Sequence, residues 1–273
     1  MMLPDLETLT ALVRQSAEQE LVPRFAACGL RFKADGSIVT EADLAMQQRL
    51  SDALAAHWPH FQLLGEEMSE PEQHALLERA DHGLWCLDPL DGTSNFAAGV
   101  PFFAVSLALL VKGEVVLGLV YDPVRRECFT ARRGEGAWLN GKPLERLGSA
   151  PTLALKRCLA AVDFKRLPKR LALRLAEQPP YASQRSFGSV ALDWCWVAAG
   201  RFHVYLHGRQ KLWDYAAGSL VLAEAGGHAT TLEGDEVFRA ELQPRSAVAA
   251  LSPALFSEWV QWLATASAGQ VTT

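Results

Sequence analysis

The chain has 273 residues, enough for one large domain or two modest ones, and 49% are hydrophobic against 21% charged, as in a globular protein with a real core. A formal charge of −5 gives no basic footprint, so direct nucleic-acid binding is not expected. The five cysteines are odd in number, scattered and without a CxxC pair, which excludes a disulfide framework or a thiolate metal site and predicts a reducing cytoplasm.

The opening MMLPDLETLTALVRQ has no basic stretch followed by an apolar one, so no signal peptide is predicted. Leu6, Leu9, Val13, Ala17, Leu21 and Phe25 recur at three- and four-residue steps and predict an amphipathic helix over 5–27. A loop, KADGSIVTEAD, leads to a second helix that opens at Thr40 and Glu41 and runs to about His57. FQLLGEE reads as a short strand running into an acidic loop, and GLWCLD as a buried strand that stops at CLDPLDGTSNF. FFAVSLALLV, EVVLGLVYD and ECFTARR follow as a meander of strands, and the apolar run 100–111 is too short to cross a membrane. Asn140-Gly141 in GAWLNGKPL marks a hairpin.

From about residue 153 strand and helix alternate. LALKRCLAAV, YASQRSF and RFHVYLH read as strands; PKRLALRLAE, VALDWCWVAAG and DYAAGSLVLAEAGG read as helices. SAVAAL and a helix over 253–266 close the chain. The expected division is an α+β half over 1–150 and an α/β half over 151–273. Together they are expected to form one compact unit, with their junction the natural place for a site.

Carboxylates end four apolar segments: Glu66 and Glu67 in LLGEE, Asp88 and Asp91 in CLDPLDG, Asp43 in VTEAD, and Asp214 in KLWDYAAG. Each has a plain structural reading. GEE serves as a solvated loop, Asp88 and Asp91 as turn formers, Asp214 as a helix cap and Asp43 as a first-turn acid. The combination asks for more. Asp88 and Asp91 repel unless the turn points them apart or a cation lies between them. Pro89 removes a donor, Gly92 permits close backbone approach, and the residues from Thr93 open a short helix whose free amides suit an anion. Hard oxygen donors without a His or Cys cluster indicate Mg²⁺ rather than zinc.

GEE, DPLDGTSNF and WDYAAGSLVLAEAGG, in this order, resemble the inositol monophosphatase family of Mg²⁺-dependent, lithium-sensitive phosphatases. KADGSIVTEADLA and RSFGSVALDWCWVAAGRF extend the resemblance over roughly residues 5–260. It implies a layered α/β/α/β/α sandwich, shared with the fructose-1,6-bisphosphatase superfamily, commonly as a homodimer. It also implies that Glu66, Asp88, Asp91 and the Leu90 carbonyl hold metal, with Asp214 completing a second site. Two or three Mg²⁺ ions are implied, with Lys33 near the weakest. Gly92, Thr93 and Ser94 would meet the phosphate. Ser189, His207 and Asp214 would contact the small phosphorylated substrate, and Asp43 would pair with Thr93 to orient the attacking water beside Glu66.

No Ser-His-Asp or Cys-His spacing stands out, so a metal-activated water is the economical route to a slow phosphate-ester hydrolysis. One position departs from the family. Seven residues before Asp214, where these enzymes usually carry a glutamate toward inositol hydroxyls, this chain has His207, followed by Arg209 and Lys211. Such a loop suits a polyol, a second phosphate as in the related 3′(2′),5′-bisphosphate nucleotidases, or plain solvent. Asn95 sides with the inositol phosphatases. The resemblance also admits a non-enzymatic reading, because some bacterial relatives bind the transcription machinery.

Overall fold

Asp5 starts the first helix, α1 (Leu6–Glu20), by accepting the Thr8 amide at 2.8 Å, and the helix buries Leu9, Val13 and Ala17. It ends at Leu21 rather than near 27. Pro23 brings no N–H to the next turn, and a 3₁₀ turn, Val22–Arg24, takes its place. The computed structural model describes residues 3–27, 29–32, 38–144 and 153–268; Lys33 lies outside them.

Part of the expected loop is an antiparallel pair, β1 (Leu30–Phe32) and β2 (Ile38–Thr40). Thr40 and Asp43 then form a capping box for α2 (Glu41–His57). β3 (Gln62–Gly65) leads into α3 (Glu70–Leu77), which the hydrophobic pattern does not predict. Its signal is the box Ser69-x-x-Glu72, with Ser69 N–H to Glu72 at 3.0 Å. β4 (Leu84–Asp91) runs parallel to β3 and does not stop at Asp88. The short α4 (Thr93–Ala97) and an antiparallel meander follow: β5 (Ala104–Val111), β6 (Glu114–Asp122), β7 (Glu127–Arg132), β8 (Gly136–Leu139) and β9 (Lys142–Pro143). Asn140 and Gly141 take φ of 50° and 75° in the last hairpin, as a type I′ turn requires. The seven strands are ordered β3-β4-β5-β6-β7-β8-β9.

LALKRCLAAV is strand only in its second half: a 3₁₀ turn, Leu155–Arg157, precedes β10 (Leu159–Asp163). Then come α5 (Lys169–Glu177), β11 (Ser183–Arg185), α6 (Val190–Ala198), β12 (Val204–Gln210), α7 (Leu212–Glu224), β13 (His228–Thr230), β14 (Arg245–Ala250) and α8 (Pro253–Ala268). This sheet is ordered β11-β10-β12-β14-β13.

Alternation along the strands sorts the apolar residues into layers. Trp85, Leu87, Leu107 and Leu119 pack on α1 and α2, whereas Cys86, Ala108, Val120 and Phe129 face α6 and α7. Ala161, Tyr205 and Ala249 meet α6 and α7 from the second sheet. That sheet's other face, with Val162, Leu206 and Val248, takes Leu171 and Leu175 of α5 and Trp259 of α8. The result is α/β/α/β/α, with α6 and α7 buried between two sheets. Fully burying side chains such as Trp85, Trp194 and Trp259 contributes roughly 1.5–3 kcal/mol each or more. Gly218 on α7 lets the two middle helices meet, since a Cβ there would lie 2.6 Å from that of Trp194.

Candidate active site

The ladder between β4 and β5 breaks where Pro89 lacks a donor: Asp88 pairs with Ser106, but Asp91 pairs with Ala104. In this bulge the Leu90 N–H turns back to Asp88 Oδ1 at 2.9 Å. Gly92 follows at φ 93°, where a Cβ would sit 3.0 Å from the Phe102 carbonyl oxygen. No other residue type combines that backbone with that space. Asn95 ties the turn down, donating to Phe102 O at 2.8 Å and Phe187 O at 2.5 Å.

The turn aims two buried carboxylates at the ends of the middle helices. Asp91 Oδ2 accepts the Ser189 hydroxyl at 2.5 Å and the Ala191 amide at 2.7 Å, both from the start of α6. Asp214 Oδ2 accepts the Lys211 amide at 2.8 Å at the start of α7. Burial pushes Asp91 up to about 6 against these hydrogen bonds. It raises Asp88 well above the usual carboxylate range, helped by the charges of Glu66, Asp91 and Asp214. Asp214 rises from burial and then from Asp91 and Glu66. The four acids therefore share one field.

One oxygen of each aspartate is tied to a backbone amide, which fixes the carboxylate plane and leaves the other oxygen for a further ligand. Among the described residues, no three acidic, histidine or cysteine side chains are gathered tightly enough to hold an ion by themselves. The oxygens that Asp88, Asp91 and Asp214 leave over are hard donors of the kind that suit Mg²⁺, which keeps several waters and takes its remaining ligands from substrate oxygens. Glu66 lies half-buried on the turn after β3, its amide bonded to Leu87 O at 3.0 Å. Gln47 and Gln73 brace that turn, Gln47 accepting the Glu67 amide at 3.0 Å and Gln73 donating to Gly65 O at 2.9 Å. Nothing in the sequence singled out these two glutamines.

Asp43 is fully buried, and its Oδ2 accepts the Thr40 amide at 2.7 Å and hydroxyl at 2.6 Å. Its Oδ1 stands 3.0 Å from Thr93 Oγ1, which is also 3.0 Å from the Leu90 carbonyl oxygen. A hydroxyl has one proton to donate and two lone pairs. Donated to Asp43, it leaves Thr93 free to accept from a water. Burial raises Asp43 against its hydrogen bonds from Thr40 and Thr93.

Ser94 is exposed on the first turn of α4, while Ser189 is fully buried behind Asp91. His207 is 5% exposed: Nε2 lies 3.1 Å from Asp163 Oδ2, and Nδ1 accepts the Arg209 amide at 3.2 Å. An accepting Nδ1 puts the proton on Nε2, pointing at Asp163. Burial alone would raise Asp163, but the hydrogen bond from His207, with the Lys165 amide and the charge of Arg166, outweighs it and holds the group low. Arg209 is exposed, and the Lys211 ammonium lies over the Trp213 ring at 5.9 Å. Sequence reading missed both Asp163 and Asp193. The latter is buried on α6 with Oδ1 unpaired among the described residues, and burial, then Asp91 and Asp163, push it well above the usual range.

The model of the inositol monophosphatase family matches residues 7–266. A curated relative from Pasteurella multocida, named Nus factor SuhB, is 39% identical over 199 residues, covering 71% of this chain and 72% of its own. An IMPase from Thermotoga maritima superposes with a TM-score of 0.81 at 28% identity, covering 96% of this chain and 98% of that one. An IMPase/NADP phosphatase complexed with Mg²⁺ and phosphate gives a TM-score of 0.79 at 26% identity, covering 94% and 95%. With sequence and fold in agreement over nearly its whole length, the chain belongs to the inositol monophosphatase family.

Proposed function

We propose that this protein is a Mg²⁺-dependent phosphomonoesterase acting on a small phosphorylated metabolite, with inositol 1-phosphate as the preferred substrate. The observation that carries the reading is the Asp43–Thr93 pair at 3.0 Å, which ties the start of α2 to the turn that holds Asp88, Leu90 and Asp91. Asp88, Asp91 and Asp214, with Glu66 and the Leu90 carbonyl, would hold the cations. Bound Mg²⁺ lowers the pKa of a water and neutralises charge on the phosphate and the leaving oxygen. Thr93, its proton committed to Asp43, would accept from the attacking water and orient it, with Glu66 as the second group on that water. The first amides of α4, which have no intrahelical acceptor, face the phosphate after Gly92. Ser189 keeps the Asp91 plane fixed, and His207 with Asp163 borders the leaving-group side. A homodimer, as the resemblance implies, belongs to the same proposal.

Phosphate release from inositol 1-phosphate, 3′-phosphoadenosine 5′-phosphate, fructose 1,6-bisphosphate and NADP tests the reading. Turnover should be fastest with inositol 1-phosphate, vanish in excess EDTA and fall with lithium. Full activity in EDTA would overturn the metal mechanism. A second reading, a factor acting on transcription, is favoured by the name Nus factor SuhB that relatives at 37–39% identity carry. It predicts that a folded but catalytically silent variant still binds purified transcription complexes.

A further inference from the structure

In the five-stranded sheet β10 and β12 run parallel side by side, with the start of β14 beside the end of β12. Ligands of open α/β sheets bind beyond the carboxyl ends of parallel strands. Two segments leave β10 and β12 there: the 3₁₀ turn Phe164–Arg166 and the bulge between His207 and Gln210. They touch so closely that a Cβ on Gly208 would fall 1.8 Å from the Arg166 carbonyl oxygen.

A cleft of about 530 Å³ opens against this junction, within the size range of small-molecule sites. Arg166 and Arg209, one from each segment, line it. Both are exposed, and among the described residues no hydrogen bond from the protein engages either guanidinium. Arg245, which also lines the cleft, is already held by Glu241 at 2.7 Å and by the Val237 and Glu236 carbonyls. Glu233 and Asp235 line the same cleft, in a turn whose amides bond to Thr231 Oγ1 at 3.2 Å. Two available guanidinium forks suit a phosphate, and nearby carboxylates suit hydroxyl donors.

We propose that this cleft binds a small phosphorylated sugar or polyol, with Arg166 and Arg209 holding the phosphate and Glu233 and Asp235 accepting from its hydroxyls. The site uses none of the residues of the carboxylate turn and does not rest on the catalytic reading. It is nonetheless coupled to the active site by chain connectivity. Arg166 stands three residues after Asp163 and Arg209 two after His207, so a ligand gripping both sets the spacing of the Asp163–His207 contact. The phosphate comes either from a free effector or from the far end of a bisphosphate substrate.

The test titrates full-length protein with inorganic phosphate and with glucose 6-phosphate in EDTA, where the four carboxylates repel an anion. The readout is the arginine Nε–Hε resonances in an NMR spectrum. Saturable shifts are expected, and Arg166→Ala and Arg209→Ala should each weaken binding about tenfold. Arg170→Ala, on α5, should leave it unchanged, and thermal melts confirm that all variants fold. No saturable binding, or equal binding in all variants, overturns the proposal. Absence of phosphatase turnover would leave this binding intact, which separates the two readings. With Mg²⁺ present, a free effector changes the KM for inositol 1-phosphate in the unmodified protein but not in Arg166→Ala. If the phosphate is the substrate's own, both variants raise the KM for fructose 1,6-bisphosphate alone. Either pattern supports the site, and the absence of both, with ligand bound in EDTA, overturns its coupling to the active site.

Discussion

At the scale of single residues, Asp91 separates a metal ligand from a turn former. Asn at this position can still accept from Ser189 and Ala191 through its Oδ1, so the variant should fold. Its turnover at saturating Mg²⁺ should drop by two orders of magnitude or more. Near-normal kcat in folded Asp91→Asn would refute the metal role. Position 207 behaves differently from what sequence alone suggests. His207→Glu restores the acceptor that the family usually carries, but Asp163 lies 3.1 Å from the imidazole. Two carboxylates would then face each other in a largely buried place, at a cost of about 1–3 kcal/mol. The single variant should be destabilised in urea unfolding, and adding Asp163→Asn should recover most of the loss. An undisturbed single variant would mean that the pair contributes nothing.

The raised carboxylates carry a pH signature. Asp91 titrates at about 6 in the folded chain against an ordinary 3.8, so between those values the folded state keeps a proton that the unfolded state has lost. Unfolding then releases protons, and stability falls as pH rises through that window. Asp43, Asp88 and Asp214 act with the same sign. Glu20, held low by Arg49, acts in the opposite sense at more acidic pH. In EDTA the melting temperature should therefore be higher at pH 5 than at pH 7.5, and Mg²⁺ should raise it selectively at pH 7.5. A melting temperature in EDTA that climbs steadily from pH 4 to 7 would contradict this account of the cluster.

At the scale of elements, α7 does two things at once. It fills the space between the sheets, and its first turn carries Asp214. Gly218 lies four residues on, one turn further along the same face, against Trp194. Gly218→Ala gains helix propensity, but its methyl has no room, and overpacking of this kind costs about 1–3 kcal/mol. Moving α7 to relieve the clash also moves Asp214. The expected result is a lower urea midpoint together with a higher Mg²⁺ concentration for half-maximal activity. Lost stability with an unchanged Mg²⁺ requirement would mean that the carboxylate is positioned independently of the helix.

At the scale of the whole molecule, the site belongs to no single layer. Asp43 comes from an outer helix, Asp88 and Asp91 from the first sheet, Ser189 and Asp214 from the middle helices, and Asp163 and His207 from the second sheet. Each layer alone would leave an apolar face in water. The core that joins both sheets through α6 and α7 is therefore also what brings these side chains together. A chain that melts in one cooperative step, with loss of activity tracking loss of structure, is the expected consequence.

Much of this was written locally. Three- and four-residue periodicity predicted α1, Asn140-Gly141 predicted its hairpin, and the DPLDGT turn announced its geometry through Pro89 and Gly92, because these signals depend on neighbours in sequence. Thr40 and Glu41 were legible as a helix start for the same reason. What stayed hidden depended on partners far along the chain. Nothing near Asp163 says that it meets His207, 44 residues later and on the adjacent strand of a parallel pair. Nothing near Gln47 says that it braces the Glu67 turn. The continuation of β4 past Pro89 depended on β5 accepting a bulge. Local residue chemistry determined the turns, the caps and which groups could bind a cation. Only the packing of two sheets on shared helices decided which of them stand together, because burial and mutual charge act through space.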